Sequence, residues 1–210
     1  MQAISEITQQ KNVVSQNGLR ESESRQRKIS VIEYDAMFRA GVYDENDKIE
    51  LLNGVLIEKM SINPPHSIAV RRSNYTFLDK LQRKAVVITQ DVIVMNDESK
   101  PEPDLFLLNP PFEKYDFEQP KVEDVVLIME ISDTTLNFDR NIKGKIYAES
   151  GVMQYLILNV NSREIEDYRE PGGENYRYKK TYSENESFNL VAFPEIEIKV
   201  ADLLPPEQAN

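Results

Sequence analysis

Apolar residues concentrate in short runs along this chain, and two runs stand out. Val125-Val126-Leu127-Ile128-Met129-Glu130-Ile131-Ser132 is almost continuously hydrophobic, and residues 154–159 form a second such run. Runs of this length predict central strands buried on both faces. Shorter β-rich runs occupy residues 85–89, 92–95 and 104–108. Two or three antiparallel strands are predicted further on, over about 164–169, 176–182 and 188–191, with Gly172-Gly173 marking a turn. Upstream, Asn53-Gly54 lies between Ile49-Glu50-Leu51-Leu52 and Val55-Leu56-Ile57. Asn-Gly between apolar runs predicts a tight hairpin. Glu50 falls on its first strand.

Three segments carry helical patterns. Ser30-Val31-Ile32-Glu33 is a capping-box pattern, and the helix it opens puts Tyr34, Met37 and Phe38 on one face before Gly41 stops it. After a break at Pro64-Pro65, the residues Ile68, Val70, Tyr75, Leu78 and Leu81 predict an amphipathic helix over 67–84. Residues 139–149 predict a third helix, stopped by Gly151. Residues 109–124, with three prolines, read as a loop excursion. The order of helix, hairpin, helix, strands, helix, strands predicts an α/β (α+β) domain, with a mixed β-sheet flanked by helices and an antiparallel C-terminal extension. Residues 1–28 are polar without an apolar period and read as a mobile N-terminal tail. Residues 29–204 form a single domain in this reading, and 205–210 a polar C-terminal end.

Composition narrows the chemistry. The 210 residues contain no cysteine, which excludes disulfides, thiolate catalysis and cysteine-ligated zinc. The single histidine, His66, excludes a multi-histidine metal site within one chain. No apolar run approaches the roughly 18 residues of a membrane span, and the N-terminal stretch lacks the apolar core of a signal peptide, so the expected location is cytoplasmic with no membrane partner. The net charge of -11 counts against strong non-specific DNA binding, which needs a basic surface. A local basic patch remains open at Arg71-Arg72, residues 80–84 or residues 140–145. The ordinary reading of the first two is solvated helix faces.

The candidate chemistry lies in acids on strands. Val126, Ile128, Glu130 and Ser132 share one strand face. Glu130 is embedded in apolar sequence, and a buried carboxylate needs a cation, a proton or an exposed strand end. Asp104 follows Pro103 at the start of another strand, where turn chemistry is the ordinary explanation. Asp139 and Lys143 are four apart on the predicted helix, and the ordinary reading is a surface ion pair worth ~0.3 kcal/mol. Glu50 reads by default as an exposed hairpin position, and His66 as a polar residue near a helix start. Taken together, Asp104, Glu130 and a following lysine are what a magnesium-dependent phosphodiesterase needs: oxygen ligands for a hard cation, and a positive charge near the attacked phosphate.

These residues resemble the Uma-type family of putative bacterial restriction endonucleases, within the PD-(D/E)XK nuclease superfamily. The matching text is Ile49-Glu50-Leu51-Leu52-Asn53-Gly54, residues 61–66, Pro103-Asp104, residues 129–136, Asp139-Arg140-Asn141-Ile142-Lys143 and residues 147–157. It covers about residues 30–203. The resemblance implies a restriction-endonuclease-like core and a Mg²⁺-dependent endonuclease acting on DNA, with Mn²⁺ as a substitute and products bearing 5′-phosphates. It implies a metal held by Asp104, Glu130, Glu50 and the Ile131 carbonyl. The superfamily usually places its lysine two residues after the second acid, where this chain has Ser132. The resemblance assigns that charge to Lys143 instead, with Ser132 bonding a water or Lys143. Met153-Gln154 stands where family members often carry Pro-Glu, a change expected to touch fold more than chemistry. A homodimer is expected, and a partner protein could supply specificity. The competing reading is a catalytically inactive nuclease-fold module that binds DNA or a protein. A further alternative is an oligomeric interaction protein that pairs through the strands of residues 164–193.

Overall fold

The structure, a computed structural model, describes residues 26–44, 46–59 and 63–207. Residues 1–25 of the segment read as a tail, and 208–210 of the C-terminal end, lie outside the described residues. Residues 26–28 are described. Lys28 pairs with Glu98 at 2.7 Å, and the next residue, Ile29, donates its N–H to the Gly54 carbonyl at 3.0 Å.

Helix α1 (Val31–Arg39) opens on the expected capping box: Ser30 accepts from the Glu33 N–H, and the Glu33 carboxylate accepts from the Ser30 N–H. Its buried residue, Tyr34, donates to the Ile49 carbonyl at 2.8 Å and so ties the helix to the hairpin that follows. That hairpin is β1 (Ile49–Leu52) and β2 (Val55–Glu58). Asn53 and Gly54 both take positive φ, 49° and 78°, as its two-residue turn demands.

Helix α2 (Pro64–Leu81) begins at the prolines rather than after them. Asn63 is its N-cap, and Pro64 and Pro65 occupy first-turn positions, where a missing N–H is no loss. Its buried face is Ala69, Val70, Ser73, Thr76, Phe77 and Leu81. Tyr75 and Leu78, expected on that face, are 73% and 53% exposed. Small hydroxyl residues pack inward here, so a reading that followed large apolar residues turned the helix too far.

A six-stranded sheet follows, in the order β3-β4-β5-β6-β7-β8. Its strands are β3 (Val86–Ile88), β4 (Leu105–Leu108), β5 (Val125–Ser132), β6 (Gln154–Asn159), β7 (Glu164–Gly172) and β8 (Asn175–Ser183). Only the β5–β6 pair is parallel. The run at 92–95 is not a strand: Val94 makes a single bridge to Lys121, while Ile93 and Met95 are buried in irregular chain. The 109–124 excursion carries two short 3₁₀ turns, Phe112–Asp116 and Val122–Asp124. Between β5 and β6 the chain runs through α3 (Leu136–Phe138), a π-helical turn (Asp139–Lys143) and α4 (Gly144–Glu149) as one continuous helix. A separate hairpin of β9 (Ser187–Asn189) and β10 (Glu197–Lys199) leads into α5 (Val200–Leu203).

Alternation along the central strands splits the core in two. On one face Leu105, Leu107, Leu127, Met129, Leu156 and Leu158 pack with Phe77 of α2 and Leu203 of α5. On the other, Phe106, Leu108, Ile128, Tyr155 and Ile157 pack with Ile146 and Tyr147 of α4. This is the mixed sheet flanked by helices that the pattern predicted. Gln154 does structural work within it: its amide donates to Asp167 Oδ1 at 3.0 Å and accepts from the Val191 N–H at 2.9 Å. A glutamate there would set a second carboxylate against Asp167.

Candidate active site

The β4–β5 register builds the centre of the site. Leu105 pairs with Met129, so one step outward sets Asp104 opposite Glu130 on the face of Phe106 and Ile128. The Ile131 N–H donates to Asp104 Oδ2 at 2.8 Å. Glu50 arrives from β1, whose neighbour Leu51 bridges to Lys100. Its Oε2 accepts from the Glu102 N–H at 3.2 Å. At 2% exposure it is not the exposed hairpin residue that position alone suggested.

Lys143 comes from the π-turn. Such turns insert one extra residue into a helix and are frequent at functional sites. Its ammonium lies 3.0 Å from Glu130 Oε1 and 3.3 Å from Glu50 Oε2. The expected surface pair with Asp139 is replaced by these buried contacts, and Asp139 instead accepts from Thr135 Oγ1 at 2.7 Å. Both residues are buried.

Two neighbours were not expected in the site. The Tyr147 hydroxyl donates to Glu130 Oε1 at 2.7 Å, and His66 Nε2 lies 3.0 Å from Asp104 Oδ2. Spacing held a hint of the first, since Tyr147 is one helical turn beyond Lys143. Nothing local reveals the second, because α2 and β4 meet only in the folded chain. Ser132, the remaining expected member, is fully buried beside Asp139 and does not line the pocket.

The pocket holds about 400 Å³. Glu50, Asp104, Glu130, Ile131 and Lys143 all line it, with His66, Asn63 and Asp139. Phe138 and Ile57 supply apolar wall. Burial pushes the Glu130 carboxyl up to about 8; Lys143 opposes that, while Asp104, Asp139 and Glu50 add to it. Burial also raises Asp139. Burial pushes Asp104 up as well, but hydrogen bonds from His66 and the Ile131 N–H, with the charge of Lys143, hold it below the usual carboxylate range. Burial disfavours the Lys143 ammonium, yet Glu130 and Glu50 outweigh it and raise its pKa. The cluster is short of positive charge.

Donor chemistry here suits a hard divalent cation: carboxylates and a backbone carbonyl, all oxygen. The bonds formed to Asp104 fall on Oδ2, and those to Glu130 on Oε1. Among the described residues, no three acidic or histidine side chains stand in metal-binding array. The Lys143 ammonium lies between Glu50 and Glu130 instead.

Comparison with known proteins agrees with this fold. A putative nuclease of the DUF820 group from Anabaena variabilis superposes with a TM-score of 0.64 at 14% identity, over 83% of this chain and 97% of that one. No curated protein matches. Among the described residues, no helix is long and apolar enough to cross a membrane. The Uma2 family model, described as putative restriction endonuclease, matches residues 33–201, and the chain belongs to that family.

Proposed function

We propose that this protein is a divalent-cation-dependent endonuclease that hydrolyses phosphodiester bonds in DNA, using Mg²⁺ with Mn²⁺ as a substitute. One observation carries the reading: Glu50, Asp104, Glu130 and Lys143, from four separate segments, line a single pocket. Asp104, Glu130, Glu50 and the Ile131 carbonyl would hold the cation. The chemistry such a cation supplies is polarisation of the phosphoryl group and a more acidic attacking water.

The chain's own residues do the rest. Asp104 stays ionised through its two donors. Glu130 and Glu50 hold Lys143 at the site, and Tyr147 fixes the Glu130 oxygen nearest the ammonium. Lys143 contacts a phosphate oxygen or orients the water, and stabilises charge that grows in the transition state. The buried setting strengthens each of these interactions.

A second reading, a nuclease fold that binds without cutting, draws on the engagement of Lys143 by two carboxylates and on the net charge of -11. One assay separates the two. Supercoiled plasmid and single-stranded DNA are incubated with the protein in Mg²⁺, in Mn²⁺ and in EDTA. The nuclease reading expects nicking with either cation, none in EDTA, and loss of at least a hundredfold in Asp104→Asn. Retarded but intact DNA under every condition would establish the binding module instead.

A further inference from the structure

We infer that His66 is a positioning residue that decides which oxygen of Asp104 faces the cation. The inference rests on the nuclease reading above. Its ground is the bond pattern on Asp104. Oδ2 receives two donors, His66 at 3.0 Å and the Ile131 N–H at 2.8 Å. An ionised carboxylate can only accept, so His66 Nε2 carries the proton in that bond. The two donors converge on one oxygen from different elements, the start of α2 and the end of β5. Together they fix the carboxylate about its last torsion and turn Oδ1 away from both. With Ile131 alone the group can swivel about a single bond.

The backbone that carries the imidazole is held in place. Asn63 caps α2 by accepting the backbone N–H of His66 at 3.1 Å, and its own amide donates to Asp133, just beyond β5. Asn161 donates to both the carbonyl and the carboxylate of Asp133, at 2.7 and 2.8 Å. The turn that carries His66 is thus stitched to the strand that carries Glu130. His66 Nδ1 is buried and has no hydrogen-bond partner among the described residues. A polar residue that merely decorated a helix start would leave that nitrogen in water. Here one ring nitrogen goes unsatisfied while the other reaches Asp104.

The test is Mg²⁺ binding by calorimetry on the full chain, with thermal melting as a check on folding. Wild type is compared with His66→Ala, His66→Gln and His66→Leu. Glutamine keeps an N–H donor near the Nε2 position, and leucine fills similar space without one. Alanine and leucine are each expected to weaken Mg²⁺ affinity about tenfold to a hundredfold, the usual effect of losing a group that orients a metal ligand. Glutamine is expected to recover at least half of that loss on a logarithmic scale. If alanine proves too unstable to assay, the split between glutamine and leucine decides alone. Equal affinities for glutamine and leucine, or wild-type affinity in His66→Ala, would overturn the role of His66 and leave the nuclease reading standing. Failure of the wild-type chain to bind Mg²⁺ or Mn²⁺ would instead overturn the nuclease reading, and this inference with it.

Discussion

Glu130 and Glu166 are two buried carboxylates on one row of one sheet, and they are treated in opposite ways. Glu130 pairs in register with Ile157, and Ile157 with Glu166, so both acids point to the same face, two strands apart. Their exposures are similar, 3% and 5%. Yet Glu130 is pushed up to about 8, while Glu166 is pulled down to about 2. Burial raises both, and more strongly for Glu130, which lies deeper in the protein; the partners widen the difference. Glu166 accepts from Arg140 through two nitrogens, from Tyr168 at 2.5 Å and from Lys179 at 3.0 Å. Glu130 has Lys143 and Tyr147, and shares that lysine with Glu50. Both cations, Arg140 and Lys143, come from the same π-turn. A carboxylate kept for structure is surrounded by donors. One kept for chemistry is left short of positive charge, and that shortage is an attraction for a cation.

The hardest way to break the contrast is to remove Lys143. In Lys143→Met, Glu50 and Glu130 lose the one ammonium they share inside the protein. Breaking a buried pair from one side costs about 3–5 kcal/mol, mostly the penalty on the charge left behind. Urea unfolding without added metal is expected to show a loss of that size, and added Mg²⁺ is expected to restore part of it. A loss below about 1 kcal/mol, or one that Mg²⁺ does not touch, would mean the cluster is not starved of cations.

How much of this was legible beforehand follows the range of the interactions. The ends of β5 and β6 coincide with their predicted ends, because each is an uninterrupted apolar run. The acids at Asp104 and Glu130 were legible as acids in strand context. What they touch was not. The π-turn over Asp139–Lys143 shifts the helical phase across only five residues, too short a stretch for hydrophobic spacing to reveal it. Glu50 is buried by the segment around Lys100 to Glu102, some fifty residues away. His66 meets Asp104 across 38 positions. The stripe of α2 was misread for a related reason: Ser73 and Thr76 are buried by tertiary fit, against their polarity.

The other side of the comparison responds more mildly. Arg140→Ala takes two donors from Glu166 but leaves Tyr168 and Lys179, so a loss of about 2 kcal/mol is expected at neutral pH. Its pH dependence has a definite sign. A carboxyl depressed from 4.5 to about 2 contributes its full stabilisation above pH 4.5, and loses it as pH falls towards 2. The stability gap between wild type and Arg140→Ala in urea melts is therefore expected to hold from pH 7 to about 5, then narrow on acidification. A gap independent of pH would point to lost packing of the arginine stem rather than lost charge.

The smallest effect on stability should accompany the largest loss of function, and Glu130→Gln is where the two separate. The amide has the volume of the carboxyl, and its oxygen can still accept from Tyr147. Lys143 keeps Glu50 as a partner. Burial, with Asp104, Asp139 and Glu50, already works against ionisation of Glu130, and a carboxyl pushed up to about 8 is mostly neutral at neutral pH in the metal-free chain. Stability is therefore expected within about 1 kcal/mol of wild type, since the amide replaces a group that is largely uncharged until a cation binds. Mg²⁺ affinity and plasmid nicking should nevertheless collapse, because the amide offers a neutral oxygen where Mg²⁺ needs one of its few charged carboxylate ligands. Glu166→Gln should do the reverse, losing stability through three weakened donors while sparing Mg²⁺ affinity. If both glutamines cost the same in urea and neither alters cation binding, the two carboxylates do one structural job, and the pocket around Glu130 is not a catalytic centre.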